Sequence, residues 1–178
     1  MKVEANVAFA VWVTGLPASG KSTLAAALKS QLADRGIDIE VLESDVLRRV
    51  FTPNPRYDEA ERELFYRQIT FVGTLLLKHG IPVLFDATAN RRQYRDHARG
   101  QIQKFLEVYV DCPLEVCLAR DPKGIYSRAR DGALDSVPGL QAAFEPPATP
   151  DVLVHGDWEP PEAAARRVIA KLIDNGYL

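Results

Sequence analysis

The run Gly15-Leu16-Pro17-Ala18-Ser19-Gly20-Lys21-Ser22 fits G-x-x-x-x-G-K-[ST] at every fixed position, and Thr23 follows it. The chemistry of such a run is phosphate capture. Its glycines let the backbone turn so that the amides of Gly15 and of Ala18 through Thr23 can surround an anion. A helix starting at Lys21 adds a partial positive charge at the same place. Lys21 can reach the β- and γ-phosphates, and the Ser22 hydroxyl is the kind of oxygen that Mg²⁺ prefers. The motif lies between an apolar run and a helical pattern, the context that makes it meaningful. These residues imply a bound nucleoside triphosphate with Mg²⁺ and leave open what the phosphate is used for.

A second group of charged residues comes later in the chain. Val41–Phe51 reads VLESDVLRRVF and follows a short apolar run. In an open parallel sheet the strand ends converge on one ligand crevice. A carboxylate at Asp45 would then stand near the γ-phosphate, where it can orient or deprotonate an acceptor hydroxyl. Arg48, one helical turn on, can hold an anionic group of the acceptor. Ser44 or Asp45 can also cap a helix there, and the two roles coexist. Asp86 ends a third apolar run. It can coordinate Mg²⁺ through water, pair with Lys21, or simply cap.

The elements that must position these residues follow from periodicity. Continuous apolar runs at 7–13, 39–42, 81–85, 105–110 and 152–154 read as buried strands. Helical spacing marks 21–35, 59–79, 91–103, 113–120 and 162–175. In the last of these, Ala165, Val168, Ile169, Leu172 and Ile173 should face inward. Strands alternate with helices, which predicts an α/β fold with a mainly parallel sheet and helices on both faces. All of it forms one domain. Residues 121–150 are rich in Gly, Pro and charge and show little periodicity. So long a stretch inside a compact domain is expected to be a lid or substrate loop.

Bulk composition excludes several other classes. The chain has 178 residues, 47% hydrophobic and 26% charged, with a formal charge of −2. No global basic field advertises DNA, RNA or an anionic membrane, and no apolar run approaches the roughly 20 residues of a membrane span. The first residues lead directly into the glycine motif without a signal-peptide cleavage pattern. Two cysteines, Cys112 and Cys117, are too few for a disulfide framework, so a cytoplasmic protein with reduced thiols is expected. His79, His97 and His155 lack metal-ligand spacing, and the Arg91–Arg99 stretch reads as a solvated helix face. Trp12 belongs to the first strand and its core. Trp158 follows the fifth strand, either near a nucleobase or as surface packing.

Taken together, four blocks resemble the adenylylsulfate kinases: GLPASGKST (15–23), ESDVLR (43–48), FLEVYVDCPLEVCLARDPKGIYSRAR (105–130) and FEPPATPDV (144–152). The third is the specific one. The resemblance implies a P-loop NTPase fold of nucleoside/nucleotide-kinase type, with a five-stranded parallel sheet and a lid. It implies transfer of phosphate from MgATP to the 3′-hydroxyl of adenylyl sulfate, a small nucleotide substrate, in sulfate activation. By the same likeness Lys21, Asp45 and Arg128 are catalytic, and Arg120 joins the donor site. Asp45, Arg48, Tyr57, Arg62, Ala89, Asn90, Lys123 and Val137 belong to the acceptor site, and Arg120, Lys123 and Arg128 would close over the phosphates. Family members often pair as homodimers. The departures gather on the acceptor side. Leu64-Phe65 stands for a family Glu-Asn, Ala87–Asn90 for Phe-Ile-Ser-Pro, Val137 for an aromatic ring, and Leu140-Gln141 for Ile-Asp. Two alternatives stay open from the residues: a kinase acting on another hydroxyl (a modified nucleotide, a sugar or a polynucleotide 5′-end), and a non-catalytic nucleotide-binding switch.

Overall fold

A computed structural model describes residues 8–178. The expectations for Val7 as a strand residue and for the start of the chain concern residues 1–7 and lie outside the described residues. Five strands form one sheet: β1 (Ala10–Thr14), β2 (Glu40–Glu43), β3 (Val83–Asp86), β4 (Phe105–Asp111) and β5 (Val152–His155). Their order is β2-β3-β1-β4-β5, and every pairing is parallel. The expected α/β architecture is therefore present.

Alternation along the strands builds two cores. Phe9, Val11 and Val13 point to one face with Leu84, Leu106, Val108 and Val110. That face is covered by Leu24, Leu28 and Leu32 of α1 (Lys21–Ala33) and by Ala165, Val168, Ile169 and Leu172 of α7 (Pro161–Asp174). Ala10 and Trp12 point the other way, with Val83, Phe85 and Phe105. There they meet Phe65, Tyr66 and Ile69 of α3 (Glu59–Lys78) and Tyr94 and Ala98 of α4 (Arg92–Gln101). Trp12 stacks on Phe85 at 4.6 Å and donates its indole N–H to the Ala87 carbonyl, so the expected core role holds. Ile173, expected to face inward, is exposed, while Ala164 near the start of α7 is fully buried.

Parallel strands end together at one edge, which brings Thr14, Glu43, Asp86, Asp111 and His155 to the same rim. α2 (Ser44–Phe51) and α5 (Leu114–Arg120) start beside that rim. The segment 121–150 differs from expectation by containing a helix, α6 (Ile125–Arg130). Asp121 starts it. Its carboxylate accepts from the amides of Tyr126 and Ser127 and from the Ser127 hydroxyl. One short turn is too brief to show an apolar period, which is why composition hid it. The rest is held by a local bridge between Pro138 and Ala142. Tyr126, Ala129 and Val137 pack with Cys112 and Cys117 in a third small core under this segment.

Candidate active site

The phosphate loop is tight enough to exclude a side chain at Gly15. A Cβ on Gly15 would lie 2.5 Å from the Val110 carbonyl oxygen and 2.7 Å from Ser19 Oγ. Gly20 and Ala18 both adopt positive φ, at 108° and 61°. Ser19 donates its amide to the Leu16 carbonyl at 3.2 Å, and Lys21 Nζ donates to the same oxygen at 2.8 Å. The loop is thus curled over the base of α1, with the Lys21 ammonium held against its own main chain. Burial pushes the Lys21 ammonium below its ordinary value, opposed by the carboxylates of Asp86 and then Asp45. A triphosphate brings the charge that this buried cation lacks.

Ser22 Oγ donates to Asp86 Oδ2 at 2.6 Å. The pairing follows from topology: β3 lies beside β1, and Asp86 is in register with Val13, just before the loop. The expected contact of Asp86 with Lys21 acts through space, since the Lys21 hydrogen bond goes to Leu16. Two oxygen donors at the mouth of a phosphate loop match the preference of Mg²⁺, which keeps waters and phosphate oxygens as its other ligands.

Two cavities share this rim. The first, about 540 Å³, is lined by Gly20, Lys21, Ser22 and Thr23 at one side and by the turn 156–161 at another. The second, about 590 Å³, lies between α2, α3 and the 134–138 segment. Asp45 and Lys123 line both. Their side chains meet at 2.6 Å, Lys123 Nζ donating to Asp45 Oδ2, and both stay more than half exposed. That hydrogen bond raises the Lys123 ammonium above its ordinary value. The N-cap of α2 is Glu43, neither Ser44 nor Asp45, and Asp45 in the first turn gives its carboxylate to Lys123 at the seam between the cavities.

The second cavity separates the two arginines expected to hold an acceptor. Arg62 is buried and its donors are largely committed: Nε to the Tyr57 carbonyl, Nη1 to Asn90 Oδ1, and Nη2 to the Ser136 carbonyl and hydroxyl. Arg48 has one long bond, to Glu61 at 3.4 Å, and its guanidinium lies 3.8 Å over the Phe65 ring and 5.1 Å from the Tyr57 ring. Tyr57 lines the cavity with φ at 58°, a costly conformation for an aromatic residue. Val137 is a buried apolar part of the same wall. Arg128 also lines this second cavity and not the first, so it faces the acceptor side of the seam. Arg120 lines the first cavity and donates to the Gly156 carbonyl at 2.8 Å.

Ala89 and Asn90 line neither cavity. Asn90 holds Arg62 with its carbonyl and gives its amide to the Ala143 carbonyl at 2.9 Å. Ala89 is buried at φ 40°, its N–H given to the Tyr66 hydroxyl. Their place is behind the wall, and they shape it.

Three further residues complete the site without having been singled out in the sequence. Gly156 is packed so closely that a Cβ would overlap the Ser19 carbonyl. A glycine right after a β-run was the available signal. Thr14 Oγ1 donates to the Thr88 carbonyl at 2.6 Å, tying the β1 end to the 87–90 segment. Tyr126 donates its hydroxyl to the Pro17 carbonyl at 2.9 Å, tying α6 to the phosphate loop. No local pattern marks either.

Known proteins resemble this chain along most of its length. Residues 7–155 match the family model described as adenylylsulphate kinase. An adenylyl-sulfate kinase of Microcystis aeruginosa is 41% identical over 168 residues, which is 94% of this chain and 93% of the relative. One from Gloeothece citriformis is 39% identical, covering 94% and 96%. The solved structure of a Mycobacterium tuberculosis APS kinase, in complex with AMPPNP and APS, superposes with a TM-score of 0.88 at 34% identity, covering 93% of this chain and 98% of that one. The phosphate loop, the seam carboxylate and the likeness along almost the whole length lead to one statement: this chain belongs to the adenylylsulfate kinase family and is a P-loop kinase.

Proposed function

We propose that the protein moves the γ-phosphoryl group of ATP to the 3′-hydroxyl of adenylyl sulfate, giving 3′-phosphoadenylyl sulfate and ADP. The observation that carries this is the position of Asp45, whose carboxylate lines both cavities at their junction. The triphosphate fits the first cavity, with its phosphates in the loop 15–23 and Lys21 at the β- and γ-groups. The acceptor fits the second, its anionic end beside Arg48 and its ring between Tyr57 and Val137.

Asp45 then orients the acceptor hydroxyl and accepts its proton as the new P–O bond forms in line with the breaking bond to the β-phosphate oxygen. Lys21 and Lys123 place positive charge where negative charge spreads in the transition state. Ser22 and Asp86 are the residues that would hold Mg²⁺, which when bound neutralises phosphate charge and orients the β- and γ-groups. Segment 121–150 acts as the lid, and Lys123, in the turn just before α6, moves with it. The reading fits a cytoplasmic protein, where ATP is abundant and both cysteines stay free. Among the described residues no helix is long and apolar enough to cross a membrane. A homodimer is the assembly expected with this function, and sedimentation velocity measures it.

The test is coupled ADP release with purified protein, MgATP and a panel of hydroxyl acceptors. Saturation by adenylyl sulfate at micromolar concentration, with 3′-phosphoadenylyl sulfate as the product, supports the proposal. Turnover with another acceptor and none with adenylyl sulfate overturns the acceptor assignment. Absence of any magnesium-dependent transfer overturns the whole reading.

A further inference from the structure

The first cavity has two ends. At the Asp45–Lys123 end it opens toward the second cavity, so the reacting γ-phosphate belongs there. The nucleobase must lie away from that seam, toward Arg120 and the turn that follows β5. Gly156, Asp157, Trp158, Pro160 and Pro161 make that end of the wall, and Trp158 is the one aromatic residue among those lining the cavity. The residue is 67% exposed.

This ring is held in place. It stacks on His155 with centroids 4.9 Å apart and planes 18° from parallel. The turn beneath is closed twice, by the Glu159 amide donating to the His155 carbonyl at 2.9 Å and the His155 amide donating to Glu159 Oε2 at 3.1 Å. Arg167 donates to the other oxygen of Glu159 at 2.6 Å. From the opposite side Arg120 donates to the carbonyls of Gly156 and Asp157. One face of the indole is therefore used by histidine, and the ring stands ready-oriented at the mouth of the cavity.

We infer that Trp158 is the stacking wall for the donor nucleobase, an assignment that rests on reading this cavity as the ATP site. Every nucleobase has a π-face, and stacking tolerates base identity. Trp158 thus contributes affinity for a purine nucleoside triphosphate and takes no part in the transfer itself. A donor lacking the base gains nothing from it.

The chain contains only two tryptophans, which makes the test direct. Trp12 is fully buried and bonded to the Ala87 carbonyl, so a change in emission on adding ligand reports Trp158. ATP is expected to quench the fluorescence, and tripolyphosphate, which has the phosphates without the base, is expected to leave it unchanged. Trp158→Phe removes the signal. In steady-state assays Trp158→Ala raises KM for ATP by about fivefold to a hundredfold, as loss of a base-stacking partner should, while kcat at saturating ATP and KM for the acceptor stay close to wild type. Trp158→Phe restores most of the lost affinity, which a merely structural residue would not do. An unchanged KM for ATP in Trp158→Ala, or equal quenching by tripolyphosphate, overturns the inference while leaving the kinase reading intact. Wild-type protein that neither binds nor consumes ATP overturns the kinase reading, and this inference with it.

Discussion

Asp45 and Lys123 touch at the seam through Asp45 Oδ2, which leaves Oδ1 to meet a hydroxyl. Asp45→Asn keeps the size and loses the base. Its kcat is expected to fall by about 10²- to 10⁴-fold, the range for a positioned proton acceptor, with ATP affinity nearly unchanged. Isothermal titration with a non-hydrolysable ATP analogue, beside steady-state rates, separates the two effects. A second expectation concerns the thiols. Burial pushes the Cys117 thiol up to about 12, with the neighbouring Cys112 acting the same way. A thiol held there is almost wholly protonated at pH 8 and a poor nucleophile. Native protein should therefore react with iodoacetamide at Cys117 far more slowly than unfolded protein, as peptide mass spectrometry would show.

At the scale of elements, close approaches between helix, strand and loop decide what is tolerated. Gly73 of α3 faces the sheet, and a Cβ there would overlap the Phe85 ring, which in turn stacks on Trp12. Gly73→Ala is a better helix former and still should destabilise, by about 1–3 kcal/mol, because overpacking outweighs propensity at a buried contact. Urea unfolding measures it. The same reasoning makes Gly156 necessary to the loop: β5 ends against the Ser19 carbonyl. The turn that carries Trp158 has a pH dependence of its own. Burial alone would raise the Glu159 carboxyl, but bonds from Arg167 and the His155 amide hold it below the ordinary carboxylate value of 4.5. A group with a depressed folded pKa stabilises the protein above its unfolded pKa, and loses that contribution as the pH falls through the folded pKa. Glu159→Gln is expected to lower stability near neutrality and to narrow the gap to wild type as the pH falls below the ordinary carboxylate value of 4.5, as read from Tm across pH.

The whole molecule depends on one buried cation behind the acceptor wall. Arg95 is 1% exposed and pairs with Glu107 of β4 at 2.7 Å. It also donates to the carbonyls of Ala89 and Glu145. Helix, sheet, the 87–90 segment and the end of the lid are thereby tied at one point, and Asn90 extends the tie to Arg62. Removing one partner of such a pair leaves an uncompensated buried charge. Glu107→Leu should cost about 3–5 kcal/mol, with the unfolding midpoint as the readout. Binding acts in the opposite direction. An ADP concentration a hundred times its dissociation constant adds about 2.7 kcal/mol by mass action, which for a chain of this size raises Tm by about 5–11 °C.

How far the amino-acid order reached differs between the two halves of the site. The donor half was legible because its chemistry is local: eight consecutive residues form the phosphate loop, and the strand runs around it are continuous. Asp45 was legible as a carboxylate just after a strand and Asp86 as one ending a strand, and the strands and five of the helices followed from continuous apolar runs and a period of 3.6. The acceptor half was only partly legible. Arg48 and Arg62 look equivalent on the page, yet tertiary contacts commit the donors of one and leave those of the other largely uncommitted. Asn90 reads as a ligand and braces Arg62, while Arg128, expected to close over the phosphates, lines the second cavity. Gly156 is more than 130 residues from the Ser19 carbonyl that requires it. Local order is written in neighbouring residues, so sequence alone determined the fold class, the phosphate loop and the kind of reaction. Which side chains reach substrate and which are spent on protein depends on contacts between distant segments, and only the folded arrangement decided it.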